Sequence, residues 1–470
     1  MPTLVNDVYE LELGKPLVPA KRRAHQLRLM KYWRASVDVT REYLTTPTGD
    51  ERTVLQRFKC ERDEDWQERL AITPLRNIIQ SFVRRYNSAV FRQDPDRQPS
   101  DTNERLQANA DGRGRSLNRL MSHALYEAQV AGAHALALSG INEMDADIDG
   151  AELTQAQLEA AGEVNVLVGV RGEDILAAQY QDEQLVTVLL LFEDAEGLFA
   201  RQYDAISTRD IRLRKAGGDN DHQLVVDRIG AQIPHGMDGI PVAIVRSAVD
   251  QSQVSGWAEY QRDIHNTESL LRVELRDHTF TRFVMSGIRG ASSTEEEELG
   301  EAPARPDIQW GSRRIFTFDD ENVSVERLGS DTSQADSLRK SLSDDKEELY
   351  RAAGLQANYR IDGQPESGIS RLVQMDSFTL QAEFLADEVE QADNHLVRLI
   401  HEAEGVSAFV PAVYSRDFLD ADFDAEMSRI KELLPLVDDA YGEESAAVKQ
   451  QLISKILRRN FEIENLPSEV

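Results

Sequence analysis

From about residue 368 to residue 404 the chain carries an unbroken helical pattern that stops at Gly405. At 1.5 Å per residue this is a rod of roughly 55 Å. Its apolar positions, among them Leu372, Phe378, Phe384, Leu385, Val389, Leu396 and Ile400, spread over more than one narrow stripe. Such a rod protrudes from any compact monomer of 470 residues, so the pattern predicts that other subunits cover part of it. Two further rods precede it. From 256, Trp257, Tyr260, Ile264, Thr267, Leu271, Leu275 and His278 alternate spacings of three and four, one apolar stripe along a helix. Between 333 and 353, Ala335, Leu338, Leu342, Leu349 and Ala352 share a face, with Ser333 and Asp336 as a capping-box-like start and Gly354 as C-cap. An insert over 282–327 separates these two rods, with strand-like FVMSGI, RRIFTF and VSVERL around the polar loop ASSTEEEELGEAPARPD. The second and third rods are joined by GLQANYRIDGQPESGIS, residues 354–370, whose three glycines and one proline make a loop rather than a tight turn.

The N-terminal half reads differently. Leu27, Met30, Trp33 and Val37 predict an amphipathic helix over 21–43. A second helix is expected over 73–91, with Thr73 as N-cap, Pro74 at the first helical position and the turn DPDRQP after it. A third, over 115–131, leads through Gly132 into the strand HALALS. Between 164 and 246 seven short β-type runs, VNVLVGV, DILAAQY, QLVTVLLLF, FARQYDAI, IRLRK, QLVVDRI and IPVAIVR, are punctuated by AGGDND and PHGMDG, which predicts a mainly antiparallel sheet region. The tail, 424–461, reads as two shorter helices, with Pro435 inside the first and Gly442 between them. The class is α+β.

With 41% hydrophobic and 29% charged residues, the chain has the composition of a folded, soluble protein. Its first residues lack a basic region followed by an apolar run, and its most apolar stretch, LVTVLLLF, is too short for a membrane helix. One cysteine, Cys60, excludes an intrachain disulfide and fits a reducing cytoplasm. Against 53 Lys and Arg stand 83 Asp and Glu, a net charge of −30, which disfavours gripping nucleic acid through a basic surface. Chemical motifs are sparse. DADIDG places Asp145, Asp147 and Asp149 as a calcium loop begins, yet its twelfth position is Ala156 where a bidentate Glu is needed, so it is a weak metal candidate beside a plain acidic turn. The S-x-x-K pairs Ser337/Lys340 and Ser343/Lys346 lack the companion motifs of acyl-transfer enzymes. His395 and His401 lie six apart, and Glu274 with His278 has no third ligand. The sequence contains no phosphate-binding loop, nucleophile elbow or dinucleotide fingerprint, so neither an enzyme nor a cofactor is expected.

The order of these segments resembles that of the portal proteins of tailed bacteriophages, which form a ring at one vertex of the capsid. TPLRNIIQSFVRRYNSAVFRQDP resembles the family's N-terminal helix with its F-x-x-D-P ending, and IPHGMDGIPVAIVRSA its strand before the first stem helix. RRIFTFDDENVSVERLGSDTSQADSLRKSLSDDKEELYRAAGL resembles the clip strands leading into the second stem helix, and SGISRLVQMDSFTLQAEFLADEVEQADNHLVRLI the long helix after the tunnel loop. Together the resemblance covers about residues 20–460. It implies a wing over 1–255, a first stem helix 256–281, a clip 282–327, a second stem helix 328–354, a tunnel loop 355–367, a long helix returning to the wing 368–423 and a helical crown 424–470. It further implies a ring of usually twelve copies that passes double-stranded DNA during packaging and ejection. The implied partners are the large subunit of the terminase motor, a head-to-tail adaptor, and the major capsid and scaffolding proteins, with no membrane. The chain would be assembled in the host cytoplasm and reside in the virion. Asn358, Tyr359, Arg360, Asp362 and Gln364 would face DNA; Glu295, Glu296, Glu297, Glu298, Arg313 and Arg314 would form the clip's docking surface. Trp257, Tyr260, Ile264, Leu271, Leu275, Leu338, Leu342 and Leu349 would pack between subunits in the stem.

Two other readings compete. A cytoplasmic helical scaffold or adaptor accounts for the amphipathic rods but not for the α/β insert between two of them. An acidic hydrolase using Asp145 and Asp147 would need a pocket that no motif announces.

Overall fold

The computed structural model describes residues 12–13, 15–17, 20–48, 52–59, 61–139, 165–181, 184–216, 223–247, 252–279, 282–286, 316–318, 324–328, 332–355, 368–406 and 409–418. The chain divides into two compact units, one of residues 1–38, 77–259 and 350–470, the other of 39–76 and 260–349.

In the first unit, helix α1 spans Ala20–Val37, short of the expected 21–43. The Val37 carbonyl accepts a hydrogen bond from Asn77 Nδ2 at 2.7 Å, and only a 3₁₀ turn, Glu42–Thr45, follows. The expected helix over 73–91 is α3, Ile79–Val90. Thr73 does not cap it: its hydroxyl and N–H both donate to Arg69 O, closing helix α2 of the second unit, Asp63–Ile72, which the periodicity missed. Asn77 takes the capping role, its Oδ1 accepting the N–H of Gln80 at 3.2 Å. Helix α4, Asp101–Ala108, was not expected either; Ser100 caps it by accepting from Asn103 N. Helix α5, Leu117–Ala131, starts at Ser116 and ends at Gly132, whose φ of 90° is the left-handed C-cap a side chain would strain.

Among the described residues, the sheet region consists of two antiparallel sheets. Strand β1, Ala133–Ser139, lies between β2, Val166–Arg171, and β8, Val242–Arg246, antiparallel to both. Strands β3 (Ile175–Gln181), β4 (Gln184–Asp194), β5 (Gly197–Asp204), β6 (Ser207–Lys215) and β7 (Leu224–Pro234) form an antiparallel meander. The period-two alternation explains the split core. Ala133, Ala135, Ala137, Val170 and Val242 join Ile175, Val188, Leu190 and Tyr203 of the meander, whereas Leu189, Ala200, Ile211, Leu213 and Val226 form a second cluster.

The long helix, Gly368–Ala403, matches its expected span and ends at Gly405 with φ of 69°; it is α8, after α6 and α7 below. Its expected cover was other subunits. Over 378–401 its own chain supplies most of it: Phe378, Ala382, Leu385, Val389, Leu396, Leu399 and Ile400 are buried, while Leu380 and Phe384 stay exposed. Ten residues before the helix ends, Asp393 is fully buried, pairing with Arg97 and accepting the Tyr414 hydroxyl at 2.9 Å. Residues 409–418 thus run back along the helix, with Ala412 N–H on Asn394 Oδ1 at 2.6 Å and Arg416 on Asp387 and Glu390.

Helix α6, Gln253–Thr279, and helix α7, Thr332–Ala352, each contribute to both units. Ser333 lies inside the first turn of α7 and does not cap it. In the second unit, Asn266 of α6 accepts Gln56 N–H at 3.0 Å and donates to Val54 O at 2.8 Å. Arg69 pairs with Glu61 at 2.8 Å between the rings of Phe58 and Trp66. Strand β9, Arg282–Ser286, is flanked by β10, Phe316–Phe318, in parallel and β11, Ser324–Leu328, antiparallel, so the insert is a small mixed sheet. The 424–461 tail, Cys60 and the DADIDG aspartates Asp145, Asp147 and Asp149 lie outside the described residues.

Removing the carboxylate of Asp393 leaves Arg97 charged and 7% exposed. Asp393→Ala is expected to cost about 3–5 kcal/mol. Arg416→Ala, at a side chain 34% exposed, is expected to cost about 1 kcal/mol or less. Urea denaturation of both variants checks the contrast, and equal losses would show that Asp393 is not the fastening point.

Candidate functional site

Within the first unit, the last turn of α7 and the start of the buried part of α8 meet at a cluster of aromatic rings. Helix α3 presents Ile79, Phe82, Val83, Tyr86 and Val90 on one buried face, at the three-and-four spacing a helix requires. Phe82 meets Trp257 and Tyr350 edge-on at 5.7 and 4.9 Å; Tyr86 stacks near Trp257 at 6.3 Å and tilts against Phe378 at 4.9 Å. Arg85 places its guanidinium carbon 5.5 Å from the Phe378 ring centre. Each aromatic pair adds about 0.5–1.5 kcal/mol beyond the area it buries.

The polar atoms of this cluster hold the two helix ends. Tyr86 Oη lies 2.7 Å from Ala353 O and 2.7 Å from the side-chain amide of Gln381. A phenol has one proton, so it donates to one partner; a Gln381 amide turned to present its NH₂ satisfies the other. Trp257 Nε1 donates to Ala352 O at 3.3 Å, and Leu355 N–H to Tyr350 O at 2.8 Å. Gly354 closes α7 with φ of 64°, and a Cβ there would stand 3.0 Å from Ser377 Oγ and 3.2 Å from Tyr86 Oη. Burial pushes the Tyr86 phenol well up from its ordinary value, with Arg85 opposing, and burial raises that of Tyr350 as well. Tyr86 therefore stays a neutral donor at any physiological pH, and its bonds to Ala353 and Gln381 tie the last turn of α7 to α8.

Asn358, Tyr359, Arg360, Asp362 and Gln364, expected to face DNA, lie outside the described residues, as do Glu295, Glu296, Glu297, Glu298, Arg313 and Arg314 of the expected docking surface. Of the residues expected to pack between subunits, Trp257, Ile264 and Leu349 are buried within the chain itself. Leu271, Leu275, Leu338 and Leu342 are half-buried, and Tyr260 is 36% exposed. Sequence reasoning missed Tyr86 and Gln381 as the residues that fix the loop base. The i, i+4 pair Phe82 and Tyr86 marked a buried helix face, but their partners lie more than 170 positions away.

Among the described residues no group of His, Cys, Asp or Glu is placed to hold a metal ion, and no helix is long and apolar enough to cross a membrane. No protein-family profile matches the sequence, and no curated protein matches it.

Tyr86→Phe keeps the ring and removes the hydroxyl, leaving the Ala353 carbonyl and Gln381 amide short of a partner. A loss of about 1–3 kcal/mol is expected in urea denaturation. An unchanged midpoint would remove the hydroxyl from the clamp.

Proposed function

We propose that the chain is the repeating subunit of a portal ring, a conduit for double-stranded DNA at one vertex of a tailed-phage capsid. One observation carries the reading: the order of elements over 253–403. Helix α6 is followed by a small mixed sheet, then helix α7, a glycine-closed turn with a fixed base, and the 36-residue helix α8. This is the order the sequence resemblance calls for. A scaffold built only of rods has no use for a sheet between two of them.

The charge balance agrees with a conduit. A channel that neutralised many phosphates would release their counterions and hold the duplex, since each contact adds salt-dependent affinity. A chain of net charge −30 repels the duplex and leaves it free to slide. In the proposed ring, residues 355–367 surround the DNA, with Arg360 the one basic residue among Asn358, Tyr359, Asp362 and Gln364. The clip, through Glu295, Glu296, Glu297, Glu298, Arg313 and Arg314, receives the terminase motor and later the tail adaptor. Half-exposed Leu271, Leu275, Leu338 and Leu342 and exposed Tyr260 are the stem positions left to meet a neighbouring subunit.

Twelve copies of a 52.9 kDa chain make a particle of roughly 0.6 MDa. Mass photometry and negative-stain imaging of the purified protein are expected to show such particles with an open centre. A lone monomer under all conditions would overturn the reading. Within the ring, shortening 357–366 is expected to leave assembly intact and to impair DNA packaging or retention, scored by the DNA content of assembled heads. Normal packaging would take this segment out of the mechanism.

A further inference from the structure

His134 stands on the middle strand β1, 2% exposed, and neither ring nitrogen has a hydrogen-bond partner among the described residues. The backbone closes over it. A Cβ built on Gly169 of the paired strand would come within 2.9 Å of His134 Nε2, so only glycine fits beside the ring. His123 of α5 meets it edge-on with ring centres 5.8 Å apart. The charged and titratable groups around it are Arg34 from α1, His123 and Glu127 from α5, and Arg171 from β2. Glu127 is the one carboxylate in that set, and it is already engaged. Arg34 bonds Glu127 at 2.7 Å and Glu173, in the turn before β3, at 2.8 Å, so one guanidinium fastens α1 to α5 and to the sheet. Glu127 is 8% exposed, and Arg34, against the effect of burial, holds its carboxyl below the usual range.

We propose that this junction is an acid-released fastening: a proton on His134 draws Glu127 away from Arg34, and helix α1 loses its hold on α5. The neutral ring tolerates its buried, desolvated site, whereas an imidazolium needs an acceptor, and Glu127 is the one carboxylate among the groups acting on it. Arg34 would keep Glu173 alone. The inference concerns the wing-side helices by themselves and does not rest on the ring reading.

The pH window follows from burial, which takes His134 from 6.5 down to about 4, with Glu127 opposing. Because the closed junction binds the proton less tightly than the open one, the fastening is complete above about pH 6.5 and weakens as pH falls toward 4. At about pH 5 these two values favour opening by about thirtyfold at most.

Hydrogen exchange read by mass spectrometry tests this, with exchange times scaled for the intrinsic effect of pH. Between about pH 7.5 and about pH 5, protection of residues 20–37 is expected to fall about ten- to thirtyfold relative to residues 79–90 of the same unit. In His134→Gln that relative fall is expected to vanish. If the Gln variant does not fold, Glu127→Gln serves. With no carboxylate to exchange, α1 protection should be low already at pH 7.5 and unresponsive to acid. A wild-type ratio that does not change with pH, or a variant that keeps the wild-type response, overturns the proposal.

Discussion

A carboxylate in the C-terminal third of a long helix governs how the rest of the first unit is arranged. Asp393 has no exposure to solvent, and an uncompensated charge there costs several kcal/mol. Arg97 and Tyr414 meet that cost only if two other stretches of chain, the one after α3 and the one after α8, cross the helix at the same level. Asn394 and Arg416 then extend the crossing in both directions. The helix is thus wrapped by its own chain over six turns or so, by an ionic constraint as much as by apolar area. Its large buried side chains, Leu385, Leu396, Leu399 and Ile400, add roughly 1.5–3 kcal/mol each as an upper bound.

The same logic operates at the loop base and on β1, with opposite outcomes. Tyr86 places a hydroxyl where two polar groups need it, and its high pKa keeps that hydroxyl a donor at all physiological pH. The clamp is therefore insensitive to pH. His134 places two ring nitrogens where no described group hydrogen-bonds to them, and its state changes within a few units of neutrality. One buried polar side chain makes a rigid anchor and the other a labile one, and the difference lies in partners rather than in depth.

What could be read in the sequence followed from local periodicity. The three rods, the strands after 164 and the small insert sheet all appear within a few residues of their expected limits, because alternation and three-four spacing are properties of neighbouring residues. Thr73 and Pro74 misled for a local reason: Thr–Pro is a common helix start, yet the Thr73 hydroxyl closes the preceding helix and Pro74 lies in an extended stretch whose carbonyl faces His265. Helices α2 and α4 escaped notice because they are short and charged, with few apolar residues to mark a face. Pairs that span the chain, Arg97 with Asp393 or Tyr86 with Ala353, leave no local trace. Part of the cover of the 55 Å rod comes from a return segment of the same chain, which local periodicity does not announce.

Burial within one chain also narrows the proposed assembly. If Trp257, Ile264 and Leu349 are already buried within one chain, a ring cannot depend on them for contact between subunits. What remains on α6 and α7 is a set of half-exposed leucines and Tyr260 among charged neighbours such as Asp263, Arg339, Lys340 and Asp344. Contacts of that kind hold through many weak pairs and are screened by salt, whereas an apolar seam is not. In the proposed ring, such contacts would make the seams between subunits polar and adjustable. That is the mechanical property a conduit needs when a helical duplex passes through a rotational symmetry it does not share.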